Sequence, residues 1–219
     1  IKNLKILSKF LLLLIPVIYF TLNIAFISNL GNYEYFNIEL KMFSHFFTIG
    51  CFLLLINSVN YIDGIDGMLS SLAIVTFLYI LILIPDLYYP SILPFIIFLS
   101  IYLLFNFGIL PKQFIGDAGS LGVGFAISSY SVIFTQYYKL IHPSIIIWCL
   151  AFFVYEFLSI NILRIKNKRN VFERDLNFIF NYLTFKYNKI ISLVLCLILH
   201  LSFCMFGFFL NYYKLHIWS

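Results

Sequence analysis

Charge is what this sequence has least of. Only 11% of its 219 residues are Asp, Glu, Lys or Arg, where soluble domains carry about a quarter. That shortage excludes an ordinary water-soluble fold, and so do a hydrophobic content of 63% and a mean hydropathy of +1.00. Cysteine is also sparse. Cys51, Cys149, Cys196 and Cys204 all fall inside apolar runs without a CxxC pair, which argues against a disulfide framework and makes them small hydrophobes. No basic-aromatic patch is present, so the net charge of +5 does not point to nucleic acid. No secretory signal is visible in these residues, because Lys2, Lys5 and Lys9 lead into a run with no small-residue cleavage site. With no internal repeat or linker, residues 1–219 read as one transmembrane domain.

What the chain has is long apolar runs. Hydropathy predicts about seven spans, near 9–28, 44–62, 68–84, 92–107, 119–138, 143–163 and 189–210. The expected fold is an all-α integral membrane protein, a polytopic helical bundle. Pro85, Pro90, Pro111 and Pro143 lie at or just outside span ends, and Pro16 is expected to kink the first span. Alternation puts the N-terminus and the 61–67, 108–118 and 164–188 loops on one side. Eleven basic residues fall there (Lys2, Lys5, Lys9, Lys112, Arg164, Lys166, Lys168, Arg169, Arg174, Lys186, Lys189), against Lys41, Lys139 and Lys214 opposite. By the positive-inside rule the first side is cytoplasmic.

The acidic residues then become informative. Asn57-Ser58-Val59-Asn60-Tyr61-Ile62-Asp63-Gly64-Ile65-Asp66-Gly67 joins the apolar runs Ile49–Ile56 and Leu69–Ile84. Asn57, Asn60 and Asp63 recur three apart, and the glycines let the backbone turn to bring Asp66 round. Such oxygen donors suit a hard cation such as Mg²⁺ and its phosphates; a plainer alternative is that they cap two helices and make a turn. A second loop on the same side reads Phe114-Ile115-Gly116-Asp117-Ala118-Gly119-Ser120, just before the fifth span. Its backbone N–H groups and positive dipole end suit a phosphate, with Asp117 supplying charge for a metal. Glu34, Glu39 and Asp86 fall on the opposite side and read as solvated.

Asn57-x-x-Asn60-x-x-Asp63-Gly-Ile-Asp66-Gly, then Phe105-Asn106, then Phe114-Ile-Gly116-Asp117-Ala-Gly-Ser120 resemble the polyprenyl-phosphate N-acetylhexosamine-1-phosphate transferases. These bacterial plasma-membrane enzymes move a sugar phosphate from a UDP-sugar to a polyprenyl phosphate such as undecaprenyl phosphate, releasing UMP and starting cell-wall or surface-polysaccharide synthesis. The resemblance implies Mg²⁺ as cofactor, held by Asn60 and Asp117, and Asp63, Asp66 and Asp117 as catalytic residues. It also implies substrate contacts from Asn57, Asp66, Asn106, Gly116 and Ser120. The implied partners are the lipid phosphate, a UDP-N-acetylhexosamine and the bilayer, with no nucleic acid; family members are often homodimers. A UDP-N-acetylglucosamine-type donor is preferred over the pentapeptide-bearing muramoyl donor because Phe114–Gly122 looks more like that branch.

Two departures bear on activity. The family's Asp-Asp pair precedes a segment resembling Ile1–Lys9, so the chain, which begins with Ile rather than Met, reads as the C-terminal portion of a longer protein. The family's last cytoplasmic loop normally holds Asp-Arg-x-His-x-His-His. Here Asp175-Leu176-Asn177-Phe178-Ile179-Phe180-Asn181 stands in its place, with Phe178, Phe180 and Asn181 for the histidines. His45, His142, His200 and His216 lie on the wrong side or within the bilayer and read as interfacial or core residues. Arg164, Lys166, Lys168, Arg169 and Arg174 serve topology or bind a diphosphate or headgroups. Leu176, Ile179, Phe180 and Leu183 recur at helical spacing, predicting a surface-lying segment. Glu156, about two turns inside the sixth span, needs a partner or a polar cavity and reads as supporting the site. Two competing readings are a non-catalytic family relative and a transporter. Acids at helix ends rather than the midplane disfavour the transporter.

Overall fold

In the computed structural model, residues 6–33, 36–168 and 178–213 are described. Lys2, Lys5, Glu34, Arg169, Arg174, Asp175–Asn177, Lys214 and His216 therefore lie outside the described residues. The helices are α1 (Ile6–Asn23), α2 (Ser44–Ile62), α3 (Met68–Leu83), α4 (Tyr89–Asn106), α5 (Gly116–Val132), α6 (Pro143–Lys166), α7 (Ile179–Lys186) and α8 (Lys189–Tyr212). Seven correspond to the expected spans, and α7 makes helical the stretch with Ile179, Phe180 and Leu183.

Among the described residues, five helical segments are long and apolar enough to cross a membrane: Lys41–Ile62, Asp86–Asn106, Gly116–Tyr137, Pro143–Lys166 and Lys189–Tyr212. The apolar segments Phe10–Asn23 and Met68–Leu83 are shorter. Helix α3 compensates by lying deep in the bundle, with Met68, Leu72, Ala73, Phe77 and Ile80 fully buried. Outward, Ile15, Leu22, Ile82, Ile97, Ile162 and Ile190 are each more than half exposed. In water that belt would be an aggregation surface; it belongs against lipid. The protein is an all-α polytopic membrane bundle.

Helices α2 and α5 run antiparallel at very close range. A Cβ on Gly124 would stand 2.8 Å from Ile56 Cα, so only glycine allows the two backbones this approach. Around that contact lie Val59, Val123 and Ile127, all buried. Two further contacts shape the same end of the bundle. Gly67 adopts φ +80°, and a Cβ there would fall 2.3 Å from the Phe107 ring. Asn106 Oδ1 accepts from the Gly67 N–H, so the end of α4 clasps the α2–α3 turn.

The opposite end carries a small hairpin that the sequence reading did not anticipate. Strands β1 (Asn29–Asn32) and β2 (Asn37–Glu39) pair antiparallel. Gln136, in a π-helical turn at Ile133–Tyr137, clips the hairpin down: its Oε1 accepts from Ser28 N at 3.1 Å and its Nε2 donates to Asn29 O at 2.9 Å. A cavity of about 690 Å³ opens beside it, lined in part by Glu39, Lys41, Gln136 and Lys139, far from the carboxylate motifs.

Candidate active site

The Gly124–Ile56 contact sets the register of everything above it. One turn towards the loops, Ile56 gives way to Asn60 and Gly124 to Ser120. Asn60 Nδ2 donates to Ser120 Oγ at 2.6 Å. Most of another turn brings Asp63 on α2 level with Asp117 on α5. Ser120 lies 3.2 Å from both Gly116 O and Asp117 O, so its hydroxyl ties Asn60 to the first turn of α5.

Asp63 is the C-cap of α2, with its N–H on Asn60 O. Its carboxyl remains solvent-accessible. Partial desolvation, then the charge of Asp117, then that of Asp66, hold its pKa above the usual carboxylate range. The three aspartates thus form one electrostatic cluster although they come from two loops. Asp117 lies inside the first turn of α5 rather than ahead of the helix, because α5 starts at Gly116, three residues earlier than the hydropathy suggests. Gly116 has φ +67°, which lets the chain swing into the helix from the preceding loop.

Other sequence-singled residues are placed differently. Asp66 accepts from Lys112 Nζ at 2.8 Å, with Lys189 Nζ at 3.8 Å, so these lysines do more than set topology. Asn57 Nδ2 donates back to Leu53 O at 2.6 Å. Asn106 is buried, and besides Gly67 its amide serves Tyr102 OH at 2.9 Å and Gln113 O at 3.2 Å. Its visible work is to hold the turn that carries Asp63 and Asp66.

The altered loop packs onto the motif itself. Phe178 and Phe180 are buried and stacked with centroids 4.9 Å apart. A Cβ on Gly64 would lie 2.5 Å from the Phe180 ring, and Phe178 meets Tyr61 edge-on at 5.9 Å. Glu156, 2% exposed, finds the partner its depth demanded: Oε2 accepts from the Ile179 N–H at 3.2 Å, at the start of α7. Arg164 is turned inward rather than towards headgroups. It is 2% exposed, with Nη1 3.4 Å from Tyr61 OH and its guanidinium over the Tyr61 ring. No sequence spacing announces the contacts of Tyr61 and Gly64 with Arg164, Phe178 and Phe180, because they join segments about a hundred residues apart.

The pattern of "Glycosyl transferase family 4" matches residues 1–135, which include both motifs and the α2–α5 pair. The chain belongs to glycosyl transferase family 4. Two curated relatives are similar over a shorter stretch. Both are named phospho-N-acetylmuramoyl-pentapeptide-transferase, from Limosilactobacillus reuteri strain DSM 20016 and from L. reuteri subsp. reuteri strain JCM 1112. Each is 30% identical over 100 residues, 42% of this chain and 31% of the relative. The chain therefore aligns with about a third of the length of the relatives it matches. For this glycosyl transferase family 4 member, the family match covers the carboxylate cluster, whereas α6, α7 and α8 lie beyond it.

Proposed function

We propose that this chain forms the cytoplasmic catalytic face of a transferase that moves N-acetylhexosamine 1-phosphate from a UDP-sugar to a polyprenyl phosphate, releasing UMP. The observation that carries the reading is the Asn60–Ser120 hydrogen bond, which fixes Asp63 and Asp117 on facing helix ends beside Asp66. The donor set fits Mg²⁺. Carboxylates whose charges crowd one another are what a hard divalent cation relieves. Asn60 spends its Nδ2 on Ser120, which leaves the amide oxygen as a donor. Asn60 and Asp117 would hold the ion, which when bound neutralises diphosphate charge.

The remaining roles belong to the chain. Lys112 and Lys189, beside Asp66, attract and orient a diphosphate entering from the cytosol. Asp63, with its raised pKa, is placed to take or hold a proton at its carboxylate oxygen as the lipid phosphate approaches. The apolar exterior leaves the polyprenyl tail in lipid while its phosphate reaches the helix ends. Asp63→Asn or Asp117→Asn in the full-length protein abolishes UMP release; normal turnover by both contradicts the proposal. The relatives' name points to a muramoyl donor and the Phe114–Gly122 stretch to an N-acetylglucosamine donor, so both donors belong in the assay.

One observation favours a second reading. Phe178 and Phe180 fill the position of the family's histidines and cannot exchange protons or bind phosphate oxygens. A relative that binds UDP-sugar without turnover would have such an apolar wall. Mg²⁺-dependent UDP-sugar binding without UMP production marks that outcome.

A further inference from the structure

Away from the carboxylates, three ligand-type side chains meet inside the bundle. Cys149 lies six residues into α6, about 9 Å along its axis from Pro143, and His200 and Cys204 share one face of α8. Cys149 and His200 are fully buried and Cys204 is 4% exposed. Cys204 Sγ stands 3.8 Å from Cys149 Sγ and 3.9 Å from His200 Nε2, and all three ligand atoms fall within 4.8 Å of one another. The four cysteines are unbridged. In a tetrahedral zinc site with Zn–S of about 2.3 Å and Zn–N of about 2.0 Å, two sulfurs stand about 3.8 Å apart and a sulfur and nitrogen about 3.6 Å apart. The two separations from Cys204 Sγ are close to that tetrahedron's edges.

Two buried polar atoms around the cluster have no hydrogen-bond partner. His200 sits among Phe152 and Phe153 rings, and its Nδ1 has no hydrogen-bond partner. The Tyr79 hydroxyl, three residues along α3 from Thr76, is also buried without a partner. Thr76 Oγ1 is 3.1 Å from His200 Nε2 and donates its proton to Leu72 O at 3.0 Å, so oxygen lone pairs remain towards the cluster. Orphaned polar groups at membrane depth are costly unless something binds them. A thiolate would accept from Tyr79, and an ion on Nε2 would fix the imidazole tautomer with its proton on Nδ1.

We propose that Cys149, His200 and Cys204 bind a divalent d-block ion of the zinc class, with Thr76 Oγ1 at the fourth corner. Charge selects the ion. Two thiolates, a neutral imidazole and a dication sum to zero, the total an apolar interior tolerates; binding releases two thiol protons. Soft sulfur ligands exclude Mg²⁺ from this place, as the all-oxygen set excludes a preference for zinc at the aspartates. The ion braces α6 against α8 and the edge of α3, and it takes no part in the chemistry at the carboxylate end. Enclosed on all sides, it loads as α8 docks.

The test is cobalt substitution in the purified full-length protein in detergent. With the aspartates held by excess Mg²⁺, the expected result is one Co²⁺ per chain bound with a thiolate-to-cobalt charge-transfer band and intense tetrahedral bands. Zn²⁺ displaces it and excess Mg²⁺ does not. Cys149→Ser and Cys204→Ser each lower bound cobalt at least tenfold, whereas Cys196→Ser, also on α8 but outside the cluster, leaves the spectrum unchanged. Because the unsubstituted chain carries the spectroscopic signature, the result does not depend on a variant folding. A six-coordinate, all-oxygen cobalt spectrum overturns the proposal, as does a Cys149–Cys204 disulfide in protein isolated with thiols blocked at lysis. Failure here leaves the transferase reading untouched, because that reading uses none of these residues.

Discussion

Asn60 Nδ2 donates to Ser120 Oγ at 2.6 Å, and this contact joins the last turn of α2 to the first turns of α5. Ser120 is wholly buried, so its hydroxyl needs the partners it has. The bond sits one turn beyond the Gly124–Ile56 contact and less than one turn short of the aspartates. It links tight helix packing to the placement of charge.

If the bond positions the aspartates, Asn60 and Ser120 must be coupled. Asn60→Ala and Ser120→Ala are each expected to cost about 1 kcal/mol of stability, with a non-additive double mutant. A double-mutant cycle on denaturation in detergent checks this; full additivity means the two side chains act separately.

Gly67 has no tolerated replacement. Its φ of +80° and the Phe107 ring 2.3 Å from a would-be Cβ both act against any side chain. Gly67→Ala is expected to destabilise by about 1–3 kcal/mol, measured as a lowered thermal midpoint. Gly64 is blocked instead by the Phe180 ring, a side chain that substitution can remove. Gly64→Ala is therefore expected to be partly rescued by Phe180→Val, and Gly67→Ala is not.

Asp63 makes stability depend on pH in an unusual direction. Its native pKa lies above the unfolded value, so the folded chain binds the proton more tightly. That stabilisation is fully present below the unfolded carboxyl range, about pH 4, and is lost as pH rises through the native pKa. Thermal scans of the cation-free protein are expected to show a contribution that falls with rising pH and is absent in Asp63→Asn.

Glu156 anchors α7 through one backbone hydrogen bond. Glu156→Gln keeps an acceptor oxygen and is expected to keep α7 docked, whereas Glu156→Leu removes it. Limited proteolysis within 164–188 is expected to speed up several-fold in Glu156→Leu alone.

The spans were legible because each is an apolar run ended by proline, glycine or charge, as at Pro143 or Gly67. The motif ends were legible because oxygen donors interrupt such runs. Hydropathy misplaced the starts of α4 and α5. Helix α4 begins at Tyr89, with Pro90 in its first turn and Pro94 inside it, and α5 begins at the polar Gly116-Asp117. The β1–β2 hairpin is four and three residues long, too short to give a pattern. Phe180 against Gly64, and Cys149 with Cys204, are long-range meetings that depend on which helix faces pack. Only the i, i+4 spacing of His200 and Cys204 hinted at the cluster.

We propose that Asn60 and Asp117, on facing helix ends beside Asp63, hold one divalent cation. Electron paramagnetic resonance of Mn²⁺, used as a Mg²⁺ surrogate with the full-length protein and UDP, tests it most directly. The account predicts one bound Mn²⁺ per chain, weakened at least tenfold by Asp117→Asn and by Asn60→Ala alike, and displaced by Mg²⁺. Undiminished Mn²⁺ binding in both variants would contradict it.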